Sequence, residues 1–159
     1  MSFRDFTFPE VQHQLGLTLR EALLFEHVAP ISLTAEFAER IRGGVDLALA
    51  INTEKARSEF IIAPVLFELR RLLAGRFALF SGVEFNVDAA RGLNGFCDFV
   101  LARSPLQSVL TAPVIAITEA KNDNVRNGLG QCIASMVAAW EFDGKTDDPI
   151  CGIATTGSA

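Results

Sequence analysis

The spacing of the apolar residues changes once along this chain, from a helical period before Gly75 to a strand period after it. Over residues 34–50 the apolar side chains recur at steps of three and four, which predicts a helix. A second helix is predicted over residues 54–74, with Asn52-Thr53 as its N-cap. Pro64 should kink or divide this helix, because proline lacks a backbone N–H and clashes with the preceding turn.

After Gly75 the apolar residues alternate with a period of two, which is typical of strands. The first strand slips in phase near Ser81-Gly82, and a turn rich in Asp, Gly and Asn joins it to the next strand as a hairpin. Residues 122–124 offer a cap for one more helix. The predicted elements are strands over 77–87, 96–101, 114–121 and 150–155 and a helix over 125–142. Their order, α-β-β-β-α-β, predicts an α/β sandwich with a mixed sheet.

The composition predicts one ordered globular domain. The chain has 159 residues, of which 50% are apolar and 21% charged, enough to bury a sizeable core. The longest stretch without a charge, residues 104–118, is too short for a membrane helix and contains two prolines. The first residues lack the apolar core of a signal peptide. Because the chain stops soon after the last predicted strand, we expect further residues in the full-length protein.

The charge and the cysteine content limit which partners and metal sites the sequence is compatible with. The net charge of −5 argues against a whole-surface polycation, yet residues 55–126 carry +2, while 1–54 carry −4 and 127–159 carry −3. The middle of the chain is therefore compatible with a nucleic-acid partner. The three cysteines match neither a disulfide framework nor a CxxC zinc site. Free thiols predict a reducing, cytoplasmic location.

Three charged residues stand among apolar strand residues. Side chains alternate between the faces of a strand, so Glu119 and Lys121 should point to the same side at the end of an apolar run. Asp98 interrupts the neighbouring strand, with Cys97 and Phe99 on its opposite face. Burying charge is unfavourable unless the charge is paired or bound to a metal. Two carboxylates on neighbouring strands can share a hard divalent cation such as Mg²⁺.

This arrangement resembles the PD-(D/E)XK nuclease superfamily, whose members have the restriction-endonuclease-like fold. The resemblance rests on Asp98 followed by Glu119-Ala120-Lys121 at the end of the next strand, within the α-β-β-β-α-β order. Two further positions match: Glu59, shortly before a proline in the helix that precedes the hairpin, and Gln131, in the helix after the third strand. Cys97 stands where the name-giving proline would be.

The resemblance implies metal-dependent hydrolysis of phosphodiester bonds, in DNA more than in RNA. Asp98 and Glu119, with the backbone carbonyl of Ala120, would ligate Mg²⁺ or Mn²⁺. The metal would acidify a water molecule and neutralise charge that develops on the phosphate. Lys121 would orient or activate that water.

The same resemblance gives roles to two flanking residues and divides the chain. Glu59 would hold a second metal ion or an outer-shell water, and Gln131 would position Lys121 or a phosphate. Residues 54–159 would form the nuclease-like core. Residues 1–53 would be an added N-terminal helical extension; if catalysis has been lost, these helices could form a homodimer interface.

Two other interpretations stay open at the level of sequence. The same fold could have lost catalysis and serve as a binding or assembly module. The acidic total and the lack of a Lys/Arg-rich patch favour this, because nucleic-acid affinity comes largely from neutralising phosphates. The presence of Asp98, Glu119 and Lys121 together favours the nuclease. An enzyme that uses the same acids on a nucleotide or another small molecule is the third interpretation.

Overall fold

The computed structural model describes residues 1–122 and 124–157, so Asp123, one of the residues expected to cap the last helix, lies outside the described residues. The helices are α1 (Glu10–Leu15), α2 (Ala35–Ile51), α3 (Glu54–Arg57), α4 (Ala63–Leu72) and α5 (Val125–Phe142). The strands are β1 (Ala78–Glu84), β2 (Phe96–Ala102), β3 (Val114–Ala120) and β4 (Cys151–Thr155). In this part of the chain, none of the helices has the length and apolar character needed to cross a membrane.

The four strands form one mixed sheet in the order β1-β2-β3-β4. Strands β1 and β2 are antiparallel, as are β2 and β3, whereas β3 and β4 run parallel. Helix α5 packs against β3 and β4 on one face, and α3 and α4 contact the sheet from the other. The structure therefore confirms an α/β fold with a mixed sheet.

The sheet separates two apolar cores, which we call the α5-side core and the α4-side core after the helix that covers each. Val100 packs in the first and Leu101 in the second, as alternation along a strand requires. The alternation also predicts one face for Cys97 and Phe99, but Cys97 packs in the α5-side core and Phe99 in the α4-side core. That expectation is wrong because the backbone is irregular here: Gly82, opposite this stretch on β1, has a φ of +61°.

The second predicted helix is divided where Pro64 predicts. A π-helical turn, Ser58–Ile62, separates α3 from α4, and Pro64 lies in the first turn of α4. The carbonyl of Phe60 would bond to residue 64 in a regular helix, but proline has no N–H to donate. This carbonyl instead lies against Gly44 of α2, where a side chain would clash with it.

Side-chain caps begin three of the helices. Thr34 caps α2, Thr53 caps α3 and Asn124 caps α5, each by accepting a backbone hydrogen bond from the first turn. The satisfied N–H groups fix where each helix starts. Consequently the start of α3 and the start of α5 both occupy defined positions, and both lie next to the end of β3.

Three of the first eleven residues belong to the α5-side core. Phe3, Phe6 and Val11 are completely or almost completely buried there. Gly130 of α5 lies against the backbone of Phe6, so that a side chain at this position would clash. The N-terminal segment therefore contributes to the same core as the sheet, and the domain boundary after residue 53 stays a prediction.

Candidate functional site

The polar residues identified from the sequence meet where β2 and β3 separate. The last paired residues at this end of the two strands are Phe99 and Thr118, and Asp98 and Glu119 follow directly beyond them. In place of a strand-to-strand bond, the N–H of Ala120 donates to Oδ2 of Asp98 at 2.7 Å. The separation leaves room for two carboxyl groups to approach each other.

Glu119 is the most constrained of these groups. Its exposed fraction is 0%, and its Oε2 accepts a hydrogen bond from Nε2 of Gln131 at 2.7 Å. Its Oε1 has no hydrogen-bond donor in residues 1–122 and 124–157. Burial, and next the nearby Asp98 carboxylate, raise the pKa of Glu119 to about 8, against the opposing effect of Lys121. Near pH 7 the carboxyl therefore holds a proton unless a cation replaces it.

Asp98 lies close enough to Glu119 to raise its pKa, by its charge and by a hydrogen bond between the two side chains. Two ionised carboxylates only accept hydrogen bonds, so they cannot bond to each other. Either a shared proton or a bound cation removes their repulsion. Mg²⁺ is commonly held by one or two carboxylates together with water or phosphate. The pair, with Oε1 of Glu119 and the adjacent carbonyl of Ala120, therefore fits such an ion.

Gln131 links Glu119 to Lys121. Its Nε2 donates to Glu119, and its Oε1 accepts from Nζ of Lys121 at 3.2 Å. Only this orientation of the amide satisfies both neighbours, because a carboxylate accepts and an ammonium donates. Glu119 and Lys121 thus contact the same residue of α5 and lie on the same side, as the alternation predicts.

A cavity of about 380 Å³ opens beside these groups on the α3 side. Its lining comes from the sheet and from the helical segment above it: Glu54, Lys55, Ser58, Glu59, Ser81, Gly82, Asp98 and Ala120. Glu59 thus lies in the same cavity as Asp98. Its carboxylate is half exposed, however, and pairs with Nζ of Lys55 at 2.9 Å.

Glu59 does not complete a three-acid group. Across residues 1–122 and 124–157, no three His, Cys, Asp or Glu side chains lie close enough together to hold one ion. The structure therefore brings together Asp98, Glu119, Ala120, Lys121 and Gln131, and leaves Glu59 at the edge. Its role with a second metal ion or an outer-shell water stays a prediction.

Sequence reasoning missed Glu54. It is the first residue of α3, and its Oε1 lies 4.0 Å from Nζ of Lys121. A carboxylate at the start of a helix is common, because it interacts favourably with the helix dipole. Because the helix dipole already accounts for a carboxylate at this position, no sequence pattern marked Glu54 as a site residue.

Cys97 and Cys132 are both buried free cysteines. Burial, and next the charge of Glu119, raise the pKa of Cys132 to about 12 and that of Cys97 further still. Thiols with raised pKa values are poor nucleophiles and poor metal ligands near pH 7. Both cysteines therefore act as small apolar residues of the interior beside the site.

Comparisons with protein-family models, with curated proteins and with solved structures find no match for this chain. The resemblance to the PD-(D/E)XK superfamily accordingly rests on the residues themselves. It draws on Asp98, Glu119-Ala120-Lys121 and Gln131 and on the order of the elements that carry them.

Proposed function

We propose that this protein is a metal-dependent phosphodiesterase of the PD-(D/E)XK kind, with a restriction-endonuclease-like fold, that cleaves DNA. The observation that carries the proposal is the fully buried carboxyl group of Glu119 beside the partly buried Asp98, with no hydrogen-bond donor for its Oε1 among the described residues. An unsatisfied buried carboxyl destabilises a folded chain. A divalent cation held by the two carboxyl groups would remove this destabilisation.

Each residue of the site has a separate task in this proposal. When bound, Mg²⁺ supplies a Lewis acid at the scissile phosphate. Asp98 and Glu119, with the carbonyl of Ala120, hold the ion. The N–H of Ala120 orients Asp98, and the amide of Gln131 orients Glu119. The site is therefore organised before substrate arrives.

Lys121 places a positive charge next to the carboxyl group of Glu119. Its side chain is 14% exposed, so the ammonium can reach a phosphate while its stem stays protected. It orients the attacking water and offsets charge on the phosphate in the transition state. Glu59 faces the same cavity and has room for an outer-shell water.

The charge distribution supports a weak and metal-dependent interaction with DNA. Residues 55–126 carry +2 although the whole chain carries −5. The side chains of Glu59, Asp98, Glu119 and Lys121 sum to −2, which one Mg²⁺ cancels. Affinity for phosphates grows with the positive charge offered to them. Binding to nucleic acid should therefore be confined to one face and should need the metal. A cytoplasmic location fits this activity.

Cleavage of supercoiled plasmid and of single-stranded DNA tests the proposal. With Mg²⁺ or Mn²⁺ we expect cleavage by the wild type and by the surface control Glu39→Gln, and none in the presence of EDTA. Glu119→Gln and Lys121→Met should each lower the rate by roughly 10²-fold or more. No cleavage by the wild type, or equal cleavage by all four proteins, would contradict the assignment.

One observation favours the alternative of an assembly module. Leu23, Leu24 and Phe25 are 81%, 78% and 67% exposed, in the segment between α1 and α2. Contiguous exposed apolar side chains mark surfaces that bind other proteins. Inactive wild-type protein that sediments as a dimer would favour this function over the nuclease.

A further inference from the structure

We propose that Glu54 is a positioning residue that holds the Lys121 ammonium from the α3 side of the sheet. The inference rests on the proposed function and assigns a role that the sequence pattern did not. Nζ of Lys121 lies 3.2 Å from Oε1 of Gln131 and 4.0 Å from Oε1 of Glu54. Gln131 belongs to α5 and Glu54 to α3, so the two contacts reach the ammonium from helices on opposite faces of the sheet.

The stem of Lys121 is confined as well as its head. A Cβ atom added at Gly128 of α5 would lie 2.7 Å from Cε and 2.8 Å from Cγ of Lys121. The aliphatic part of the Lys121 side chain therefore packs on α5 at a glycine, where a larger residue would clash with it. The side chain of Lys121 is confined by Gly128, Gln131 and Glu54. Its ammonium therefore has few alternative positions.

The start of α3 is itself fixed next to the end of β3. Thr53 caps α3 by accepting from the N–H of Ala56 at 3.1 Å. Asn122, the residue after Lys121, donates from Nδ2 to the carbonyl of Asn52 at 3.3 Å. The bond joins the corner between α2 and α3 to the chain that carries Lys121. Glu54 is thereby held beside the ammonium by backbone as well as by charge.

This geometry gives Glu54 a role distinct from that of a metal ligand. Removing its charge leaves Asp98, Glu119 and Gln131 in place, so metal and phosphate binding should persist. Losing the Glu54 charge should make the position of the Lys121 ammonium relative to the phosphate less precise. Loss of positioning lowers the rate of the chemical step more than it weakens substrate binding.

Steady-state kinetics on a DNA oligonucleotide provide the first test. We expect Glu54→Gln to lower kcat roughly threefold to fivefold, with KM changed less than about twofold. Glu54→Asp, which keeps the charge, should recover part of the loss, and Glu39→Gln on α2 should match the wild type. An unchanged kcat in Glu54→Gln, or a loss confined to KM, overturns the inference.

A second measurement does not depend on activity. Limited acetylation of the metal-free protein, followed by mass spectrometry, reports how freely the Lys121 amine reacts, with Lys145 as the internal reference. An ion pair of this exposure is worth at most about 1 kcal/mol, so Glu54→Gln should raise the labelling of Lys121 by up to about fivefold. Unchanged labelling means that Glu54 does not hold the ammonium.

The two tests separate this inference from the proposed function. Wild-type protein that neither cleaves DNA nor binds Mn²⁺ contradicts the proposed function. In that case the labelling of Lys121 in Glu54→Gln still decides whether Glu54 positions the ammonium. Cleavage by the wild type with equal kcat and equal labelling in Glu54→Gln contradicts this inference alone.

Discussion

Glu119 differs from an ordinary core residue in the way its two carboxyl oxygens are used. Oε2 accepts a hydrogen bond from Gln131, while the buried Oε1 has no hydrogen-bond donor among the described residues. A mutation to leucine or glutamine would remove the repulsion with Asp98. A chain that keeps the carboxyl at this position keeps a group whose charged form is unfavourable until something binds it.

The raised pKa of Glu119 makes folding stability depend on pH. Its pKa is about 8 in the folded protein and 4.5 without the fold. Below pH 4.5 both states hold the proton, and the group has no effect. As pH rises through the interval up to about 8, the unfolded chain releases its proton first, so the folded state loses stability. Above that interval the loss is complete.

Urea unfolding of wild type and Glu119→Gln in EDTA at pH 5.5 and 8.5 measures this effect. We expect the free energy of unfolding of the wild type to fall between the two values, by an amount on the order of several kcal/mol. Glu119→Gln should not show this fall, and Mg²⁺ should restore the wild type at pH 8.5. Parallel pH dependences of the two proteins would show that Glu119 does not carry a raised pKa.

The site residues differ in how far the sequence could predict them. Asp98 and Glu119 stand out because each interrupts a run of apolar strand residues. Gln131 needed the family resemblance, since an amide in a helix is ordinary. Glu54 could not be predicted, because its contact with Lys121 depends on how α3 lies over the sheet.

At the level of elements, the divided helix between Glu54 and Leu72 carries one side of the site. Pro64 predicts the division from the sequence alone. The π-helical turn over Ser58–Ile62 lies where the carbonyl of Phe60 packs against Gly44 of α2. Such contacts join distant parts of the chain, and a local pattern does not reveal them.

Adjacent glycines of α2 test this contact. Gly44 lies against the Phe60 carbonyl, whereas nothing lies within 4 Å of a Cβ at Gly43. Gly44→Ala should therefore destabilise the protein by about 1–3 kcal/mol through overpacking. Gly43→Ala should stabilise it by roughly 0.5–1 kcal/mol through helix propensity alone. Urea unfolding of both variants measures the difference, and equal effects would show that α2 and the π-helical turn do not touch here.

Elements with a clear apolar period, including the short strand β4, were predictable within about one to three residues, whereas α1 was not predicted. Helix α5 spans Val125–Phe142, as its periodicity predicts, and α2 differs from its predicted bounds by one residue at each end. Strand β1 ends at Glu84, three residues early. Helix α1, Glu10–Leu15, has too few residues for a periodic pattern, and its position is set by packing of the first residues on α5.

At the level of the whole molecule, the site lies at the end of the sheet where two neighbouring strands stop pairing. Strands β2 and β3 pair up to Phe99 and Thr118 and then separate, so helices on both faces contribute to one small region. The order of the elements predicts the mixed sheet. The separation could not be predicted, because the bond from Ala120 to Asp98 that takes the place of strand pairing joins distant parts of the chain.

The packing of the N-terminal segment could not be predicted from the sequence either. Its sequence indicates an extension to the core, yet Phe3 and Phe6 are buried in the α5-side core. Apolar residues near a chain end carry no information about what they pack against. Only the folded arrangement shows that this segment packs on α5, the helix whose Gln131 contacts the buried Glu119.

Calorimetric titration with Mn²⁺ tests most directly whether the carboxyl pair is a metal site. At pH 7, in two buffers of different ionisation enthalpy, we expect the wild type and Glu39→Gln to bind one ion and to release close to one proton. The proton is the one that Glu119 holds in the metal-free protein, because its pKa is about 8. Asp98→Asn and Glu119→Gln should lose this binding. The same affinity in all four proteins, or no binding by the wild type, would contradict the account.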